Sequence, residues 1–237
     1  MHKITLRNLG PINDCSICLN EFIVLTGPQA NGKSTIAKAV YFFRTIKDDI
    51  LDMMLRGTTG EKPEKWHIRL TKRLKDKFMQ LFGSTYGMSN RMEVRYDYDD
   101  KTYIRIFLKP NYKNDGGPNY VNIEFSQSIE DYLVDLDSRV FTDMTQTQKA
   151  REDAKLTELF VDPYETIFIP AGRNMITLLT TQLNFIFTSL NESQKRSIDL
   201  CTQRYVELIL KLKPSFTYGI AGLMSDQLNL TQKQFNV

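Results

Sequence analysis

Residues 27–35, Gly-Pro-Gln-Ala-Asn-Gly-Lys-Ser-Thr, combine types and spacing suited to holding a polyphosphate. Gly27 is followed by Pro28, Gln29, Ala30 and Asn31, then by Gly32, Lys33 and Ser34, which is the pattern of a phosphate-binding loop. Gly27 and Gly32 permit backbone conformations that a side chain would block, so successive N–H groups can turn inward around an anion. Lys33 would neutralise the outer phosphates and Ser34 would give an oxygen to magnesium. Thr35 or the loop amides would complete the cradle, and Asn31 stands at the tip, within reach of the terminal phosphate. A helix beginning near Lys33 brings the positive end of its dipole to the same spot.

Such a loop has to be strung between a strand and a helix. The apolar run Phe22-Ile23-Val24-Leu25 predicts a buried strand before it, and Ile36, Val40 and Phe43 fall at helical spacing after it. That helix is expected to run to Lys47, with a second helical piece over 48–55 that Arg56-Gly57-Thr58-Thr59-Gly60 breaks. Upstream, Lys3-Ile4-Thr5-Leu6-Arg7 alternates as a strand, Leu9-Gly10-Pro11 is a turn, and residues 15–19 form a second short strand. Two strands before the loop argue against a simple kinase layout, in which the first strand enters the loop directly.

Beyond the loop, Pro63 is expected to open a long helix with Trp66, Leu70, Leu74, Phe78 and Leu81 as one apolar stripe. Its other faces carry Lys62, Lys65, Arg69, Lys72, Arg73, Lys75 and Lys77. The ordinary reading is a solvated face; the alternative is a surface for nucleic acid or an acidic partner. Residues 92–98 and 103–109 alternate around Asp99-Asp100-Lys101 and predict a hairpin, with a third antiparallel strand over 120–125. The aromatics there could stack on bases, but alternation in a half-buried sheet explains them more simply. Helices are expected over 128–140, 145–160, 175–190 and 192–213, and Thr166-Ile167-Phe168-Ile169 reads as a compact buried strand. The closing residues from Pro214 show no persuasive period.

Composition bounds the remaining possibilities. The 237 residues are 41% hydrophobic, enough for a core, and a net charge of +3 predicts no partner from bulk electrostatics alone. A membrane span of about 18 apolar residues is absent and the N-terminus lacks a signal-peptide apolar region, so a soluble, cytoplasmic protein is expected. Cys15 and Cys18 have the C-x-x-C spacing, but on a strand residues three apart face opposite ways, and no second Cys or His pair completes a metal site. His2 and His67 are the only histidines, which excludes a His-rich metal centre and weighs against a Ser-His-Asp arrangement.

The segments KITLRNLGPI (3–12) and EFIVLTGPQANGKSTIAKAVYFF (21–43), with a short strand between them, resemble the start of ABC-type ATPases of the RecF, SMC and OLD-nuclease kind. IFIPAGRNMI (167–176) is similar to a strand-and-turn segment of RecF-like ATPases of bacterial defence systems. The resemblance implies an α/β P-loop NTPase fold of ABC-head type, with an antiparallel β subdomain and a helical region. It also implies an incomplete head over 1–237, made of a strand and phosphate-loop part (1–60), a basic helix, β meander and helical insertion (61–160), and a core strand with a helical region (161–237).

The same resemblance implies ATP and Mg2+ as cofactors, bound by residues 27–35, with Arg7 and Asn8 where the first strand approaches the nucleotide. It places the magnesium-sensing glutamine at Gln182; Arg173 either contacts phosphate or caps a turn. Implied partners are a second head in a homodimer or higher oligomer, a nuclease or other effector, and DNA or RNA, in DNA repair or phage defence; no membrane is implied. The family also needs a Ser-Gly-Gly-like signature and a strand ending in Asp-Glu, and neither occurs here. Asp162 and Asp135 end hydrophobic runs, but no acid follows either, and no histidine follows His67 to act as a switch. The catalytic base is therefore unassigned. Either the chain is the N-terminal part of a longer ATPase, which the ending at Val237 favours, or it is completed by another chain. A kinase or GTPase-like switch would need an Asn-Lys-x-Asp motif, which is absent; a non-hydrolysing scaffold that binds nucleic acid is the remaining rival.

Overall fold

The computed structural model describes residues 1–56, 64–109, 120–139, 141, 144–172, 189, 191 and 198–217, with side chains as far as 210. Two compact units divide the chain, Met1–Thr166 and Ile167–Val237.

In the first unit, alternating apolar and polar residues build five strands: β1 (Lys3–Leu9), β2 (Ile12–Cys18), β3 (Glu93–Asp97), β4 (Tyr103–Lys109) and β5 (Tyr120–Phe125). They form one antiparallel sheet in the order β2-β1-β3-β4-β5. A tight turn at Gly10-Pro11 joins β1 to β2 with Leu9 opposite Ile12, and β1 meets β3 with Leu6 opposite Val94. The β3–β4 turn is closed by Asp99, whose carboxylate accepts from the backbone N–H groups of Lys101 at 2.8 Å and Thr102 at 2.6 Å.

Period-two alternation sends Ile4, Leu6, Val94, Tyr96, Ile104, Ile106 and Leu108 to the buried face. The opposite face is a ladder of charges. Arg105 bridges Glu93 at 2.6 Å and Glu124 at 3.1 Å, and the Arg95 guanidinium lies 3.8 Å from the Tyr103 ring centre. Tyr96 and Tyr98 are fully buried. Those two rings therefore serve sheet packing and are not available to stack on bases.

Helices α1 (Lys33–Arg44), α2 (Ile46–Leu55), α3 (Trp66–Phe82), α4 (Gln127–Asp137) and α5 (Gln146–Phe160) belong to the first unit. α1 and α2 are separated at Thr45, two residues before the expected end of the first helix. The Thr45 hydroxyl donates to the carbonyls of Tyr41 at 2.7 Å and Phe42 at 3.2 Å, a local bond that competes with helix continuation. Phe43 then stacks on Tyr96 at 5.2 Å, and Tyr98 donates its hydroxyl to the Phe43 carbonyl at 2.7 Å, fixing α1 to the sheet.

The stripe Trp66, Leu70, Leu74, Phe78 and Leu81 of α3 is buried as its spacing requires. The basic face is partly an interior one, contrary to a fully outward reading. Lys77 reaches Thr45 Oγ1 at 2.7 Å and pairs with Asp49, while Arg73 bonds Asp49 at 2.9 Å and Asp52 at 2.7 Å. Burial pulls the Lys77 ammonium below its ordinary value, against the opposing pull of Asp49. Two of the cations considered for a nucleic-acid surface are thus spent tying α3 to α2.

α5 opens with a capping box in which Thr145 and Gln148 satisfy each other's backbone N–H groups. Phe160 near its end packs on Tyr98 at 4.9 Å. In the second unit, α6 (Leu200–Thr217) is capped by the Asp199 carboxylate, which accepts from the Thr202 N–H at 3.1 Å, and it runs through Pro214. Arg173 and, apart from Ser189, the helix expected over 175–190 with Gln182 lie outside the described residues.

Two expected strands are absent. Residues 22–25 are not in a strand, and Phe22 and Val24 are 84% and 64% exposed. Residues 166–169 are likewise outside any strand, with Ile167 and Ile169 52% and 58% exposed. The physical reason is pairing: residues 22–25 pair with none of the five described strands, so their backbone groups join no ladder and the apolar run stays exposed. Of the sequence-based fold, a mixed α/β chain with a five-stranded antiparallel sheet and six α-helices is present in the described residues.

Candidate functional site

The loop before α1 is wrapped around its own lysine. Lys33 Nζ donates to the carbonyl oxygens of Gly27 at 2.7 Å and Pro28 at 2.5 Å, so the segment curls back over the helix mouth. Three loop residues take positive φ, Gly27 at 141°, Ala30 at 65° and Gly32 at 86°. A Cβ on Gly32 would stand 2.6 Å from Ile12 Cγ1, so glycine is demanded there by both backbone conformation and space. Gly32 is the N-cap of α1, and no side chain caps the helix. The first-turn N–H groups, which have no intrahelical acceptor, therefore lack a competing carboxylate or hydroxyl cap. Lys33 is half-buried, and Ser34 and Asn31 are exposed.

Beside this helix start lies a cavity of about 610 Å³. Ser34, Thr35 and Lys38, one helical turn apart on α1, form one wall. The end of β1 and its turn contribute Asn8 and Gly10, β2 contributes Asn13, α3 contributes its last residue, Phe82, and the connection after it contributes Ser84, Met88 and Ser89. Asn8 has φ 51°, a conformation asparagine tolerates better than most residues. Its amide nitrogen donates to the Arg91 carbonyl at 3.2 Å, joining the β1 turn to the connection ahead of β3. The ring of Phe82 is backed by Phe78 at 4.9 Å.

The far end of α1 is held as firmly. Arg44 makes two parallel bonds to Asp162, at 2.9 and 2.8 Å, and Asp162 is 1% exposed. Lys47 adds bonds to the carbonyls of Asp162 and Tyr164. Burial alone would raise the Asp162 carboxyl, but the Arg44 guanidinium overcomes this and holds it below the ordinary carboxylate range. His2 joins the same corner: Nε2 donates to the Val161 carbonyl at 3.0 Å, which leaves Nδ1 to accept from the Tyr96 hydroxyl at 2.8 Å. Burial lowers the His2 pKa, opposed mainly by that carbonyl bond, which suits the neutral ring this pattern requires.

The structure thus places residues 27–35 together at one helix start and brings Asn8 to the adjoining cavity. Arg7 instead lies on the sheet's outer face, 3.8 Å from Asp14 and 3.7 Å from Glu93. Asp135 pairs with Arg139, and Asp162 with Arg44. Cys15, Cys18 and Cys201 are free thiols, and no cluster of metal-ligating side chains occurs among the described residues. No described helix is long and apolar enough to cross a membrane. Sequence reasoning missed Lys38, Phe82, Ser84, Met88 and Ser89. Ser84, Met88 and Ser89 carry only the signal of a polar turn after a helix, and Lys38 and Phe82 only that of helical positions, which says nothing of the element each will face. Comparison with protein-family models, with curated proteins and with solved structures finds no match for this chain.

Proposed function

We propose that the chain is the ATP-binding part of an ABC-type ATPase head of the RecF and OLD-like kind. One observation carries the reading: a lysine anchored on the carbonyls of its own glycine loop, before a helix start without a side-chain cap. In that loop, inward N–H groups and the α1 dipole favour a multiply charged phosphate chain. Lys33 is placed to exchange its carbonyl partners for phosphate oxygens, a stronger, charge-assisted bond. The Ser34 hydroxyl is the oxygen suited to magnesium, which when bound neutralises charge between the outer phosphates. Thr35, facing the cavity, would guide the inner end of the phosphate chain.

The P-loop NTPase fold of ABC-head type, pairing with a second head, and control of a nuclease or other effector in DNA repair or phage defence belong to the same proposal. A nucleotide-dependent scaffold that does not hydrolyse is the second reading. It is favoured by the commitment of Asp162 to Arg44, which leaves that carboxylate without a role as general base. Equilibrium binding of ATP and magnesium, followed by phosphate release, tests both. The proposal predicts Lys33-dependent binding, with slow or absent turnover by this chain alone. Absence of binding contradicts the ATPase reading, and rapid turnover contradicts the assignment of no base.

A further inference from the structure

We infer that Asn31, at the tip of the loop before α1, is a self-modification site: attack by the Gly32 backbone nitrogen expels its side-chain amide and leaves a carboxylate that closes the loop to polyphosphate. The covalent step stands on the loop itself; its consequence for binding rests on the phosphate-loop reading above.

Asn31-Gly32 is the sole Asn-Gly pair in the sequence. Glycine lacks the Cβ that would crowd the approach of an asparagine side chain to the nitrogen that follows it. Both reacting groups are uncommitted. Asn31 is exposed, and neither its amide nor the Gly32 N–H has a hydrogen-bond partner among the described residues. Ile12 and Pro11 pack where a Gly32 Cβ would stand and fix that residue, while the Asn31 side chain turns in solvent. The nitrogen attacks after losing its proton, and the anion so formed lies at the positive end of the α1 dipole. The feature that attracts phosphate thus also promotes the attack.

The Gly32 nitrogen bonds to the Asn31 side-chain carbonyl carbon, closing a succinimide ring. The bond from that carbon to the amide nitrogen breaks, and ammonia leaves with the proton that the backbone nitrogen surrendered to solvent. Water then opens the ring at either carbonyl, giving aspartate or isoaspartate and a released proton; no oxidant or reductant takes part. Either product sets a negative charge where the terminal phosphate would lie. Isoaspartate also threads an extra methylene carbon into the main chain between Gly27 and Gly32, which lengthens the curl. The loop therefore loses its site as the chain ages, while the core is untouched.

The test incubates the purified chain and Asn31→Gln in mildly alkaline buffer and follows both by mass and by tripolyphosphate binding. Tryptic cleavage after Arg7 and Lys33 releases residues 8–33, in which Asn8, Asn13 and Asn20 are internal controls that precede no glycine. Conversion at Asn31, seen as a gain of about 1 Da, is expected to outrun all three. Converted chains, separated by their extra negative charge, are expected to bind tripolyphosphate at least about tenfold more weakly than unconverted chains from the same incubation. Asn31→Gln, whose longer side chain closes a larger and less favoured ring, is compared only with its own fresh sample and is expected to keep its affinity. Conversion at Asn31 no faster than at the controls overturns the site. Equal affinity of converted and unconverted chains, or a loss in aged Asn31→Gln as large as in the wild type, overturns the consequence assigned to it. Fresh wild type that binds no tripolyphosphate overturns the phosphate reading instead, and the mapping still decides the modification.

Discussion

Lys33 Nζ lies 2.7 Å from the carbonyl oxygen of Gly27, six residues earlier in the chain, so the cation is the staple of the loop that precedes it. The bond explains how a segment that follows an unpaired, exposed run can hold a defined curl. Removing the ammonium should loosen the loop without touching the core. In Lys33→Ala, amide hydrogen exchange over residues 27–32 should accelerate, while that of β3, β4 and α3 stays unchanged. Uniform acceleration would show that Lys33 supports global stability instead.

Gly32 sits where α1, the loop and Ile12 converge. Alanine there incurs the left-handed backbone penalty of about 1–2 kcal/mol. It also sets a methyl group 2.6 Å from Ile12 Cγ1. Gly32→Ala should therefore lower the unfolding free energy by about 2 kcal/mol or more and weaken polyphosphate binding. A denaturant titration checks the first effect; a change below about 0.5 kcal/mol would contradict the close packing of β2 on the loop.

Asp162 and Arg44 tie the C-terminal end of α1 to the chain beyond α5. Removing the charge by Asp162→Asn should cost about 2 kcal/mol, since two charge-assisted bonds weaken at a buried site. The carboxyl's folded pKa is depressed, so its contribution is present above the ordinary value of about 3.9 and is lost as pH falls through the lower folded value. Unfolding free energies measured from about pH 6 down to about pH 3 should fall in the wild type and fall less in Asp162→Asn. Parallel curves would remove the pair from the account.

Much of the fold is legible from local pattern. The period-two runs of β3 and β4 around Asp99, the stripe from Trp66 to Leu81 and the glycines flanking residues 28–31 each state their conformation within a few residues. What was not legible depends on partners distant in sequence. Residues 22–25 have a buried strand's composition, but burial requires a neighbouring ladder. Lys77 and Arg73 look like surface cations until α2 brings Asp49 and Asp52 against them. Asn8 and Phe82 line one cavity although they are far apart in the chain, and neither neighbourhood in the sequence announces the other.

His2 provides a second pH handle. Its neutral ring donates to the Val161 carbonyl and accepts from Tyr96, and burial lowers its pKa from 6.5. The unfolded chain thus takes up the proton first as pH falls. Stability should decline as pH drops below about 6.5 and level off once the folded value is passed. His2→Gln should remove that component of the slope, as followed by thermal unfolding between about pH 7.5 and about pH 5. A slope unchanged by the substitution would assign the effect to other groups.

The most direct test of the central claim is equilibrium binding of ATP with magnesium to the 237-residue chain and to Lys33→Ala. Saturable binding by the wild type, weakened at least about tenfold by the loss of the ammonium, is the predicted result. Absence of binding by the wild type, or equal affinity of the two proteins, would contradict the assignment of residues 27–35 as a phosphate-binding loop.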